Sequence, residues 1–84
     1  MILHTINKVS ALEKCRSLVS PDDVVVLIED GVSLALTQLP FDVLVLGPDL
    51  QARGLSSSVS AAQTIDYAKL VSLTDQADKV MAWF

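Results

Sequence analysis

The chain has 84 residues, enough for one small domain, 1–84, with a core able to fold but little stability in reserve. Ten acidic against six basic side chains give a net charge of −4, the reverse of the cationic surface that binds phosphates, which argues against direct, independent contact with nucleic acid. Half of the residues are apolar, yet no continuous apolar run, Val24 to Ile28 included, exceeds five residues, far short of the roughly 20 that cross a bilayer.

Ile2-Leu3-His4-Thr5-Ile6 reads as a first strand. Ser10-Ala11-Leu12-Glu13 has the form of a capping box, in which the serine oxygen accepts from the third helical N–H and Glu13 reaches back, so a helix is predicted from Ser10 to a point before Pro21. Its Ala11, Leu12, Cys15, Leu18 and Val19 share one face. Asp23 to Ile28 and Asp42 to Leu46 read as the second and third strands, and their continuous rather than alternating apolar character suits a parallel sheet covered on both faces. Between them, Gly31 leads into about two helical turns over Val32 to Leu39, with Val32, Ala35, Leu36 and Leu39 towards the core and Pro40 as the stop.

After the third strand Gly47-Pro48 turns the chain, and Asp49 to Gly54 reads as a short helix with an acidic cap and a glycine exit. Ser56 to Ser60 reads as a polar, mobile loop, and Thr64-Ile65 as a fourth strand. Asp66 is placed to cap a helix from Tyr67 to Gln76, and Lys79 to Phe84 alternates as a terminal strand would, although those six residues also tolerate helix. Met81, Trp83 and Phe84 put much apolar area at a terminus, which predicts that this end is docked. A mean hydropathy of +0.49 points to buried subunit contacts, or to a small domain whose strands are covered on both faces.

The chemistry available is sparse. Gly31, Gly47 and Gly54 are isolated, so no phosphate-binding loop is present, and no cofactor or metal is expected. The single histidine, His4, reads as a hydrogen-bonded residue of an apolar strand rather than a base or ligand. The single cysteine, Cys15, cannot form an internal disulfide, which leaves group transfer, a thiol partner on another chain, or core filling. Lys14 and Arg16 flank it in sequence, but neighbours one residue apart face different sides of a helix and lower its pKa only near the surface. Met1-Ile2-Leu3-His4 lacks the basic and apolar regions of an export signal, so a reducing cytoplasm is expected.

Taken in order, five segments resemble the DsrH/TusB family over nearly the whole chain. Leu3-His4-Thr5-Ile6-Asn7-Lys8-Val9-Ser10 is similar to its opening strand and the basic turn after it, and Leu12-Glu13-Lys14-Cys15 to the cysteine-bearing helix of the DsrH branch. Asp22-Asp23-Val24 through Leu27-Ile28-Glu29-Asp30-Gly31-Val32 resembles its second strand and Asp-Gly-Val exit. Asp49-Leu50-Gln51-Ala52-Arg53-Gly54 and the tail from Ile65-Asp66-Tyr67 to Met81-Ala82-Trp83 complete the set. The stretch from Val32 to Asp42 is shorter than in the better-known members.

The resemblance implies an α/β, DsrE-like three-layer domain with a mostly parallel sheet of four or five strands. It also implies a place in a sulfur relay, as an accessory or non-catalytic subunit of a sulfurtransferase complex assembled with TusC/TusD-like or DsrF/DsrE-like paralogues. The relay would serve 2-thiouridine formation at the tRNA wobble position or, alternatively, dissimilatory sulfur oxidation. The principal sulfur-carrying cysteine of such complexes lies on the TusD/DsrE subunit, so Cys15 is a candidate persulfide carrier or a neutral variation. The other class of function is an oligomeric structural module without sulfur chemistry of its own.

Overall fold

A computed structural model describes residues 1–84. Five strands form one sheet: β1 (Ile2–Ile6), β2 (Val24–Leu27), β3 (Leu44–Leu46), β4 (Thr64–Ile65) and β5 (Lys79–Trp83), in the order β4-β3-β2-β1-β5 with every neighbouring pair parallel. The chain steps outward from β1 to β4, then returns to the opposite edge, where β5 lies beside β1 in register from Ile2 opposite Lys79 to Ile6 opposite Trp83. The terminal segment is therefore a strand, docked along β1 and through Trp83, whereas Phe84 at its end is exposed instead of docked.

Parallel pairing requires crossovers, and their placement gives the sheet its two covered faces. Because successive side chains in a strand point to opposite sides, Val25 and Leu27 of β2 enter one layer and Val26 the other. The first layer joins Ile6, Val25, Leu27, Val43 and Val45 to Ala11, Cys15, Val32, Leu34 and Leu50 from the crossovers. The second joins Leu3, Val26, Leu46 and Ile65 to Leu73 of a ten-residue helix, Tyr67–Gln76. Asp66 caps that helix as expected, its carboxylate accepting from the Lys69 N–H at 2.8 Å.

Several local expectations are corrected. The capping box at Ser10 does not form. The extended residue that starts the turn is Lys8, with no side-chain cap, and Ser10 lies inside a 3₁₀ turn, Val9–Ala11, that runs on into the four-residue helix α1, Leu12–Cys15. Since α1 ends in a turn straight after Cys15, Leu18 swings out of the apolar stripe and is 55% exposed. The second crossover is a 3₁₀ helix, Glu29–Leu36, rather than a helix over Val32 to Leu39. Its three-residue repeat carries Gly31 and Leu34 inward, and Leu36 is left 51% exposed.

Gly47 and Pro48 belong to the next helix, α2 (Gly47–Ala52), where proline occupies the first turn that needs no N–H donor. Leu46 is its N-cap residue and Asp49 lies in the first turn, so Asp49 is not the cap. Gly54 exits with φ +68°. The serine-rich stretch contains short turns: Ser56–Ser58 is a 3₁₀ turn, and the Ser60 hydroxyl accepts from the Ala62 N–H at 3.1 Å to cap a second, Ala61–Gln63. The helix Tyr67–Gln76 is α3.

Gly31 fixes how closely the second crossover can approach the sheet. A Cβ there would lie 2.2 Å from the Ile6 carbonyl oxygen, which also accepts from the Ile28 N–H at 3.0 Å. Gly31→Ala must therefore push Glu29–Leu36 off the end of β1, an overpacking cost expected at ~3 kcal/mol. Gly54→Ala meets no atom within 4 Å and carries only the left-handed backbone penalty, about 1 kcal/mol. Urea midpoints of the two variants check the order, and equal losses would contradict it.

Candidate functional site

Cys15 closes α1 on its inner side and is fully buried among Ala11, Val32, Leu34 and the strand residues of the first layer. Its Sγ donates to the Leu12 carbonyl at 3.6 Å, and burial pushes the thiol pKa up. The flanking cations point elsewhere: Lys14 Nζ donates to the Phe84 carbonyl at 2.8 Å, and Arg16 pairs with Glu13 at 3.2 Å. The sulfur therefore has neither a charge that favours its thiolate nor a path to a second thiol without local opening.

The most organised polar group in the core surrounds His4, which is fully buried at the middle of β1. Its Nε2 lies 2.9 Å from Asp23 Oδ2, and its Nδ1 accepts from the Trp83 indole N–H at 3.0 Å. An indole nitrogen can only donate, so Nδ1 must be unprotonated and the ring proton sits on Nε2, where it donates to Asp23. Asp23 also accepts from the Ile2 N–H on Oδ1 and the Ser20 N–H on Oδ2, each at 3.0 Å. The hydrogen bond from His4, then those from Ser20 and Ile2, hold its carboxyl down at about 2. The order Asp-His-Trp has the form of a catalytic relay, but it ends on an N–H donor instead of a nucleophile, so what it does is join β1, the entry to β2 and β5.

A second assembly forms at the carboxyl ends of β2 and β3, from segments distant in sequence. Arg53 donates from Nε to Asp30 Oδ1 at 2.9 Å, with its Nη2 at 2.8 Å from the same oxygen. The Asp49 carboxylate accepts from the backbone N–H of Glu29, which holds φ at 49°. The Glu-Asp-Gly exit of β2 and the Asp-to-Arg stretch of α2 thus interlock. Sequence reasoning named both pieces but nothing in their spacing joined them, and it gave Asp23 no role beyond the second strand.

An open cleft of about 410 Å³ lies at the other end of the sheet, lined by Arg16, Ser20, Pro21, Asp23, Phe41 and Asp42 among others. Both oxygens of Asp23 are already occupied by the fold. No group of three or more His, Cys, Asp or Glu side chains is arranged to hold a metal ion, and no helix is long and apolar enough to cross a membrane.

The depressed Asp23 pKa has a pH signature. The native state binds this proton less readily than the unfolded chain, so the stabilisation is complete above the ordinary carboxylate value of 3.8 and is lost as pH falls through about 2. Asp23→Asn should be less stable than the parent at about pH 7 and should lose less on acidification through that window. Denaturant melts of both proteins at several pH values check this, and parallel acid profiles would exclude Asp23 as the carboxylate responsible.

The match to a family profile described as "DsrH like protein" covers residues 7–80. Proteins named TusB from Escherichia coli O81 (strain ED1a) and Shigella boydii serotype 18 are each 34% identical over 95 aligned positions, which cover 98% of this chain and all of each relative. That span exceeds the 84 residues here, so these relatives carry residues that this chain lacks. The solution NMR structure of protein Tm0979 from Thermotoga maritima superposes with a TM-score of 0.66 and 31% identity over 90% of this chain and 93% of that one. Sequence and fold agree along almost the whole length, and the chain belongs to the DsrH family.

Proposed function

We propose that this chain is a subunit of a sulfur relay serving tRNA 2-thiouridine formation, in which it organises the assembly and its own cysteine carries no sulfur. The reading rests on end-to-end similarity to TusB proteins together with one structural observation, the complete burial of Cys15. Relay chemistry needs a thiolate that the next thiol can reach, and a neutral sulfur under a closed helix is the opposite arrangement. The transferring cysteine then belongs to a partner subunit of the paralogous TusC/TusD type, in the cytoplasm. A role in sulfur oxidation uses the same fold, and an operon encoding sulfite-reductase-type subunits would favour it.

The acidic balance of the chain supports contact with protein partners rather than with tRNA itself. Exposed Val9, Leu18, Leu36, Tyr67, Val71, Val80 and Phe84 give it apolar surface for such contacts. Light scattering should accordingly give a mass above the 9.0 kDa of one chain, and a monomer at micromolar concentration would count against association of the chain with itself.

Reconstitution with persulfide-loaded partner subunits tests the assignment. Cys15→Ser is expected to transfer sulfur at the wild-type rate once folded, while melting lower by ~1–3 kcal/mol because a hydroxyl replaces a buried thiol. Cys15→Ala supplies a second variant without the polar cost. A small thiol reagent should leave native Cys15 unlabelled until denaturant is added. Loss of transfer in both variants, with folding intact, would make Cys15 the carrier. Unchanged transfer when the subunit is omitted would remove it from the relay.

A further inference from the structure

We infer that His4 is a proton-operated latch on the terminal strand β5. The ring is fully buried and has one partner at each nitrogen, and those partners respond to protonation in opposite ways. Asp23 accepts from Nε2 and would be gripped more strongly by an imidazolium, since the hydrogen bond becomes charged at both ends. Trp83 donates to Nδ1 and cannot do otherwise. A proton added at Nδ1 sets two N–H groups against each other and removes the indole hydrogen bond. Acid therefore tightens β1 to the entry of β2 while it loosens β5.

The surroundings direct the effect to that strand. The register neighbours of His4 are Val25 on β2 and Met81 on β5, neither of which titrates. Asp23 is the charged group in contact with the ring, and Cys15 occupies the same core layer as a thiol whose pKa burial raises. Besides the indole bond, this end of the strand is held by the packing of the Trp83 ring on the first core layer, by the long rung from the Asn7 N–H to the Trp83 carbonyl, 3.3 Å, and by Lys14 on the Phe84 carbonyl. Its other end is pinned by the Asp78 N–H to the Met1 carbonyl at 2.9 Å and by the Met1–Asp78 ion pair. Loss of the indole bond thus removes the one directional side-chain hold on the Trp83 end and loosens it, and β5 is an edge strand with no further strand outside it.

One histidine and one tryptophan make the test direct, because each ring gives a single set of NMR signals. In ¹⁵N-labelled protein acidified stepwise, the imidazole nitrogens should begin as the Nε2–H tautomer and gain the second proton before the fold is lost. Over the same transition the indole N–H should shift and lose at least roughly tenfold of its exchange protection, with β1 and β2 amides unchanged. Trp83→Phe, which keeps a ring but removes the donor, should melt below wild type at the higher pH and close to it at the lower. An imidazole that stays neutral until the protein unfolds, an indole whose protection ignores the titration, or a melting gap independent of pH would each overturn the latch.

Discussion

A histidine fully buried at the middle of β1 is the constraint around which this small domain is arranged. An imidazole removed from water needs a partner at each nitrogen, and an unpaired one costs as much as several favourable contacts contribute. The two partners come from opposite directions, Asp23 from the entry to β2 and Trp83 from β5. Satisfying one side chain therefore fixes the placement of the strands on both sides of β1, and with them the path of the chain from end to end.

That arrangement gives the edge strand β5 more than one kind of hold on the sheet. Its backbone pairs along β1, its indole reaches the core imidazole, and Trp83 packs against the layer that holds Ile6 and Cys15. Terminal strands are held only as well as their contacts hold them. Here the contact is a directional hydrogen bond backed by a large apolar ring, a combination that couples the order of the terminus to the state of the core.

The thiol and the imidazole illustrate how burial changes what a reactive residue type does. Each is the only one of its kind in the chain, and each carries chemistry used in many active sites. Cys15 is enclosed with its thiol pKa raised, and His4 is saturated with partners that leave no room for a substrate. Within the family fold both residues serve packing and hydrogen bonding. The pair of contacts at the carboxyl ends of β2 and β3, Asp30 with Arg53 and Asp49 with the Glu29 N–H, is likewise spent on holding one loop to one helix.

Five strands, their parallel pairing and the helix capped by Asp66 were legible in the sequence, because apolar runs and a cap residue act over a few neighbouring residues. The family could be read from motifs in order. The short crossovers were not legible: a 3₁₀ repeat differs from an α-helical one by a fraction of a residue per turn, and only packing against Ile6 through Gly31 selects it for Glu29–Leu36. Leu36 ends outside for that reason, and Leu18 because α1 stops in a turn after Cys15, although helical spacing sends both inward. Above all, no local pattern could pair His4 with Asp23 and Trp83, 19 and 79 residues away. Those partners exist only once the chain has closed its last strand beside its first, because hydrogen bonds between distant residues depend on where the sheet brings them.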